Sequence, residues 1–142
     1  MSIVEELETR FLPHLKKAAA ELQLEFPSSR ITTWSSPTGS LTAYQGHDVG
    51  IDCLLPDAAQ DQPDNICLII GVMHVTTVTK ICDAAVCWGG GKGRGTELDL
   101  LDEHVLWAPE ILSHIEVELP RLVGALRAAL RRGHPLGMEQ KI

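Results

Sequence analysis

Residues 66–75 read Ile-Cys-Leu-Ile-Ile-Gly-Val-Met-His-Val, apolar at nearly every consecutive position. A strand sends successive side chains to opposite faces, so a half-buried strand alternates. A run without alternation has to be covered on both sides. It is too short to cross a bilayer as a helix, which takes about 20 residues. The stretch from Ile66 to Thr79 is therefore expected to form the central strand of a sheet. Something must then cover each face of that sheet.

The two ends of the chain supply one cover. Val4, Leu7, Phe11, Leu15, Ala18 and Leu22 recur at helical spacing, which predicts an amphipathic helix over 2–24. Ser2-Ile3-Val4-Glu5 is a capping box for its start. Pro13 interrupts the helix but leaves the phase of the stripe intact, which predicts a kink rather than a break. Leu112, Ile115, Leu119, Val123, Leu126 and Leu130 form a matching stripe near the C-terminus. There Pro109 opens the helix, Gly133 stops it, and Pro120 interrupts it as Pro13 does the first. Small residues on both stripes (Ala18 to Ala20, Gly124, Ala125) allow close packing.

Shorter runs complete the sheet. Residues 30–35 and 40–45 flank Ser36-Pro37-Thr38-Gly39, a turn sequence, and read as a hairpin. Val49, Ile51, Cys53 and Leu55 alternate with polar or small residues, with Gly46 a candidate bulge. Residues 56–65 are a polar loop. Residues 81–88 and 96–101 are strand-like. The expected fold is α+β, one domain over 1–142. An antiparallel sheet of about five strands carries the N-terminal and C-terminal helices on one face. Its other face needs a second cover, either a loop or a second copy of the chain.

Between the last two strands lies Gly-Gly-Gly-Lys-Gly-Arg-Gly, residues 89–95. A phosphate loop of the Walker type needs Ser or Thr after its lysine, and here Gly93 follows Lys92. The glycine spacing also misses the dinucleotide fingerprint. The sequence that follows alternates like a strand, so no helix N-terminus is there to hold an anion. The loop is expected to be a hairpin connection whose Lys92 and Arg94 can meet an acidic partner.

Composition narrows the function. Of 142 residues, 44% are hydrophobic and 22% charged, and the net charge is −7. The charge is uneven. Residues 48–118 hold thirteen acids against Lys80, Lys92 and Arg94, whereas 119–142 are net basic. An acidic middle repels nucleic acid and attracts basic protein surfaces. No signal peptide or membrane-spanning run is visible, which points to the cytoplasm. Cys53, Cys67, Cys82 and Cys87 show no usual zinc spacing and read as small apolar residues in a reducing compartment. No cofactor, metal, nucleic-acid or membrane partner is implied.

Chemical motifs are sparse. His47, Asp48 and Asp52 are close in sequence, and positions 48 and 52 share a strand face. Asp99, Asp102, Glu103 and His104 form another oxygen-rich stretch. Neither has a recognised metal spacing, and no nucleophile elbow occurs. Aromatic residues favour interfaces, so Trp34, Tyr44 and Trp88 join Asp48, Asp52, Lys92 and Arg94 as candidate interaction residues. In size, charge and α+β build the chain is similar to bacterial immunity proteins and secretion chaperones, although the polar stretch 56–65 does not supply the helix that chaperones carry between strand groups. The reading favours a small, acidic, non-catalytic interaction module for a basic partner, with a possible homodimer through the sheet. Its alternative is a small-molecule or metal binder, or an enzyme, with its site on the open sheet face.

Overall fold

The computed structural model describes residues 2–38, 46–56, 65–75, 79–89, 95–101 and 105–136. Helices α1 (Ile3–Arg10) and α2 (Leu12–Glu25) open the chain, and α3 (Pro109–Val117) and α4 (Leu119–Arg132) close it. Between them run strands β1 (Arg30–Thr38), β2 (Gly46–Leu54), β3 (Asn65–His74), β4 (Lys80–Gly89), β5 (Gly95–Asp99) and β6 (Val105–Leu106). The α+β class, the antiparallel sheet and the flanking terminal helices are as the sequence predicts.

The caps behave as read. Ser2 Oγ accepts the Glu5 N–H at 3.1 Å. Gly133 adopts φ +78° past the end of α4, where the left-handed conformation suits glycine, and its N–H reaches the Ala129 carbonyl at 2.9 Å. The prolines depart from expectation. Neither helix is kinked: each is split. Helix α1 stops at Phe11 and α2 restarts with Pro13 in its first turn; α3 stops at Glu118 and α4 restarts with Pro120 in the same place. A first-turn proline loses no hydrogen bond, because those N–H groups have no partner in a helix. The stripes survive with small changes. Ala19 rather than Ala18 is buried on α2, Leu122 rather than Val123 on α4, and Val4 stays 38% exposed.

The helix pairs lie side by side and run the same way. Arg10 at the end of α1 pairs with Glu116 near the end of α3 at 3.2 Å, and Glu25 at the end of α2 takes both Arg127 (2.8 Å) and Arg131 (2.5 Å) in the later part of α4. Both pairs cover one face of the sheet, α2 over β1 and β2, α4 over β3, β4 and β5.

The sheet is an antiparallel meander, β1-β2-β3-β4-β5, with β6 joining β4 beyond β5 on the same edge. Strand β3 is central, and its Ile66, Leu68, Ile70 and Val72 point into the helical core, fully buried or nearly so. Val49, Ile51 and Cys53 of β2 and Cys82, Ala84, Val86 and Trp88 of β4 join them. The hairpin turn expected at 36–39 is not there: Ser36, Pro37 and Thr38 continue β1, opposite Asp48, His47 and Gly46. The expected strand 40–45 lies outside the described residues. Pro37 is tolerated because β1 is an edge strand. The Ile31 N–H points away from β2, to Gln23 Oε1 at 3.1 Å, and the period of two gives Pro37 the same outward direction. Its missing N–H breaks no ladder bond and blunts the edge against stray pairing. Gly46 is in regular register; the irregularity falls at Val86/Cys87, where β5 inserts Glu97. Strand β6 has only two residues and no periodicity to reveal it.

The split helices give a direct test. Pro13→Ala and Pro120→Ala are expected to change the unfolding free energy by less than about 1 kcal/mol. A gain near 3 kcal/mol in urea unfolding would show that each proline strains a continuous helix instead.

Candidate functional site

Among the described residues, no helix or strand packs on the second face of the sheet. Its side chains come from the positions of β1 to β5 that the helices do not use. Trp34, Ile69, Met73 and Ile81 lie there, outside the hydrophobic core. So do Asp48, Asp52, Asp83 and Asp99. Strand alternation explains why β3 reads as apolar on both sides: one set fills the core and the other stands on this face.

Two glycines shape the surface. A Cβ on Gly50 would strike the Leu68 carbonyl oxygen and come within 2.7 Å of Trp34 Cζ2. The absence of a side chain therefore lets the indole lie across β2. A Cβ on Gly71 would strike Asp48 Oδ1. Asp48 thus leans over β3 toward Asp83, which stands directly across Gly71 on β4. Burial, and next the charge of Asp83, push the Asp48 carboxyl up from 3.8 to about 6. Asp48 and Asp52 share the face, as expected, but occupy different settings. Asp52 Oδ1 accepts from Asn65 Nδ2 at 3.0 Å and from the Cys67 thiol at 2.9 Å.

The thiols are quiet. Burial pushes Cys53 up to about 12 and Cys82 up to about 11 in the core. On the uncovered face, burial and then the hydrogen bond to Asp52 hold Cys67 far above the ordinary range. Burial also raises Cys87, its cross-strand neighbour. All four are free, and burial disfavours the thiolate, the nucleophilic form.

His47 belongs elsewhere. Its odd position in β2 sends it to the helical side, 9% exposed, away from Asp48 and Asp52. These three neighbours in sequence are therefore split between two faces. His47 Nε2 instead meets Ser35 Oγ at 2.6 Å, and the Ser35 hydroxyl donates to Glu8 Oε2 at 2.6 Å. With that proton given to Glu8, His47 Nε2 must be the donor to Ser35. A catalytic relay needs the reverse: imidazole accepting from the hydroxyl, with the acid on the other ring nitrogen. This chain pins α1 to the β1–β2 pair and does not activate the serine.

The remaining candidates fall as follows. Trp88 is a core residue, 4% exposed, and not an interface aromatic. Its Nε1 donates to Glu97 Oε1 at 2.6 Å, and Glu97 also pairs with Arg132 of α4. Its phase with Cys82, Ala84 and Val86 is the sequence signal for that placement. Tyr44, Lys92 and Arg94 lie outside the described residues, as do Asp102, Glu103 and His104. Gly89 and Gly95 flank the glycine loop as the end of β4 and the start of β5, an antiparallel pair, so no helix follows it. Asp99 stands on the uncovered face beside Ala85, with Oδ1 buried and unpartnered among the described residues. Sequence reading passed over Asp83 and Gly71, which become neighbours of Asp48 only through register. Among the described residues no group of three metal-ligating side chains occurs, and no helix is long and apolar enough to cross a membrane. No protein family, no curated protein and no solved structure matches this chain.

Asp48 makes stability depend on pH. Its pKa is raised in the folded state, so its contribution is most favourable below about pH 4 and is lost as pH rises through 6. The full shift corresponds to about 3 kcal/mol, which solvent screening at this partly exposed site cuts to about 1 kcal/mol. Asp48→Asn is expected to be about 1 kcal/mol more stable than the parent at pH 8 and equal to it near pH 3.5 in urea unfolding. An equal gain at both values would assign the effect to packing. Ser35→Ala leaves the buried His47 donor without its acceptor and is expected to cost about 1–2 kcal/mol in the same measurement.

Proposed function

We propose that the protein is a non-catalytic interaction module that receives a basic protein partner on the uncovered sheet face. The observation that carries this reading is the distribution of charge. Four aspartates, Asp48, Asp52, Asp83 and Asp99, stand on that face. Among the described residues the only cation on the same side is Arg30, at the start of the edge strand. Elsewhere the ion pairs cancel: Arg10 with Glu116, Glu25 with Arg127 and Arg131, Glu97 with Arg132. Four of the thirteen acids of residues 48–118 thus stand where, among the described residues, no helix covers the sheet. A surface of that kind steers and orients a basic partner.

The quiet chemistry supports the same reading. Burial disfavours the thiolates, and the Ser35–His47 contact is ordered as a structural bond. Trp34, Ile69, Met73 and Ile81 add the aromatic and aliphatic area that anchors protein contacts. A second copy of this chain is the less favoured occupant, because two-fold docking sets the aspartates of one face against the same aspartates of the other.

Charge removal on the face tests the reading. Asp48→Asn with Asp83→Asn is expected to lower recovery of a basic partner from native lysate at least tenfold, whereas Arg121→Glu on α4 leaves it unchanged. Recovery by the parent should also fall steeply with salt. Undiminished recovery by the double variant would refute the assignment of the face.

A further inference from the structure

Resting on that reading, we propose that the partner's anchoring side chain on this face is an arginine, and that Trp34 is the residue that selects it. The guanidinium stacks on the indole, with Asp48 to one side of it and Asp52 to the other.

The chain has three tryptophans, and the structure uses them differently. Trp88 is buried in the core and gives its ring N–H to Glu97. Trp107 already carries Lys80 over its ring, 4.9 Å from the centroid. Trp34 is half-buried on the uncovered face, and among the described residues no cation stands over its ring. Opposite it on β2 is Gly50. A Cβ there would lie 2.7 Å from Trp34 Cζ2 and 3.0 Å from Cε2. With no side chain at that position, the indole settles onto the strand as a low aromatic platform. A residue of any other type would lift it off.

Negative charge borders this platform. Asp48 and Asp52 lie two residues to either side of Gly50 on the same strand face. Each is therefore ~6.8 Å along β2 from the row of the ring. Asp99 closes the far end of that row, beyond Ile69 and Ala85. The two nearer carboxylates lie within the ~8 Å Debye length at physiological salt, so a cation seated on the ring feels both. The face of an indole attracts the same sign of charge. Between the two basic side chains, the ring decides. A guanidinium is planar and weakly hydrated, so it lies flat on an aromatic face at low desolvation cost, and its N–H groups radiate in that plane toward both acids. The ammonium of lysine is compact and strongly hydrated. Lysine gains the charge attraction but little of the stacking.

The test titrates two capped peptides of equal length and charge into the isotope-labelled protein, one of repeated Gly-Arg and one of repeated Gly-Lys. The arginine peptide is expected to bind at least threefold more tightly and to move the ring N–H signal of Trp34, while those of Trp88 and Trp107 hold still. In the Trp34→Leu protein, confirmed folded by circular dichroism, the two peptides should bind alike, near the affinity of the lysine peptide for the parent. Equal affinity of the two peptides for the parent would overturn the inference and leave a face that reads charge alone. A preference for arginine that survives Trp34→Leu would overturn it too, as would no binding by either peptide at millimolar concentration. Partner recovery from lysate is tested with aspartate variants that keep Trp34, so this inference and the broader reading can fail separately.

Discussion

The fold depends on burying one face of β3. Ile66, Leu68, Ile70 and Val72 accept both helix pairs at once, because β3 is the middle strand of the meander. Burial of each such side chain contributes about 1.5–3 kcal/mol, and the four together hold the terminal segments of the chain on the same surface. The ion pairs between the helices then fix their relative alignment but add little energy, being largely exposed. With one face committed to this core, the other residues of β3 are placed by geometry. Cys67, Ile69, Gly71 and Met73 have to stand on the far side.

That far side departs from what folding alone favours. Asp48 is drawn over Gly71 into partial burial beside Asp83. Like charges brought together in this way oppose folding. Trp34 lies over Gly50 on the face away from the helices instead of filling the core. The thiols Cys67 and Cys87 remain protonated in the same region. Local choices that conflict with stability concentrate where function lies. Here they concentrate on one face, while on the helical side Glu25, Glu97 and Glu116 each meet an arginine.

Much of this architecture was legible in the chain. Periodicity and capping gave the terminal helices, Ser2 and Gly133 included, and the lack of alternation at Ile66 to Val75 gave the central strand. What failed was tied to pairing. Pro13 and Pro120 keep the stripe in phase whether a helix bends or restarts, so spacing could not separate the two. Ser36-Pro37-Thr38 has turn chemistry, and only the edge position of β1 makes it a strand. His47 was grouped with Asp48 and Asp52 by closeness in sequence, although one residue of offset sends it to the opposite face. Trp88 is a candidate interaction aromatic by residue type, but its phase matches Val86 and places it in the core. Asp83 and Gly71 carry no such signal, because nothing in the order of residues announces a neighbour one or two strands further along the chain. Site chemistry in a sheet is written across strands, and a single sequence is read along them.

The central claim is that the face carrying Asp48 and Asp83 is the contact surface for a basic partner. Methyl groups report on it side by side, since Ile69 and Ile81 stand on that face while Ile51, Ile70 and Ile115 lie in the helical core. The most direct measurement is methyl-labelled NMR of the protein with and without its captured basic partner. The account predicts that the signals of Ile69, Ile81 and Met73 move and those of Ile51, Ile70 and Ile115 hold still. Changes centred on the exposed helical residues Leu24 and Val117, with Ile69 and Ile81 unmoved, would contradict it.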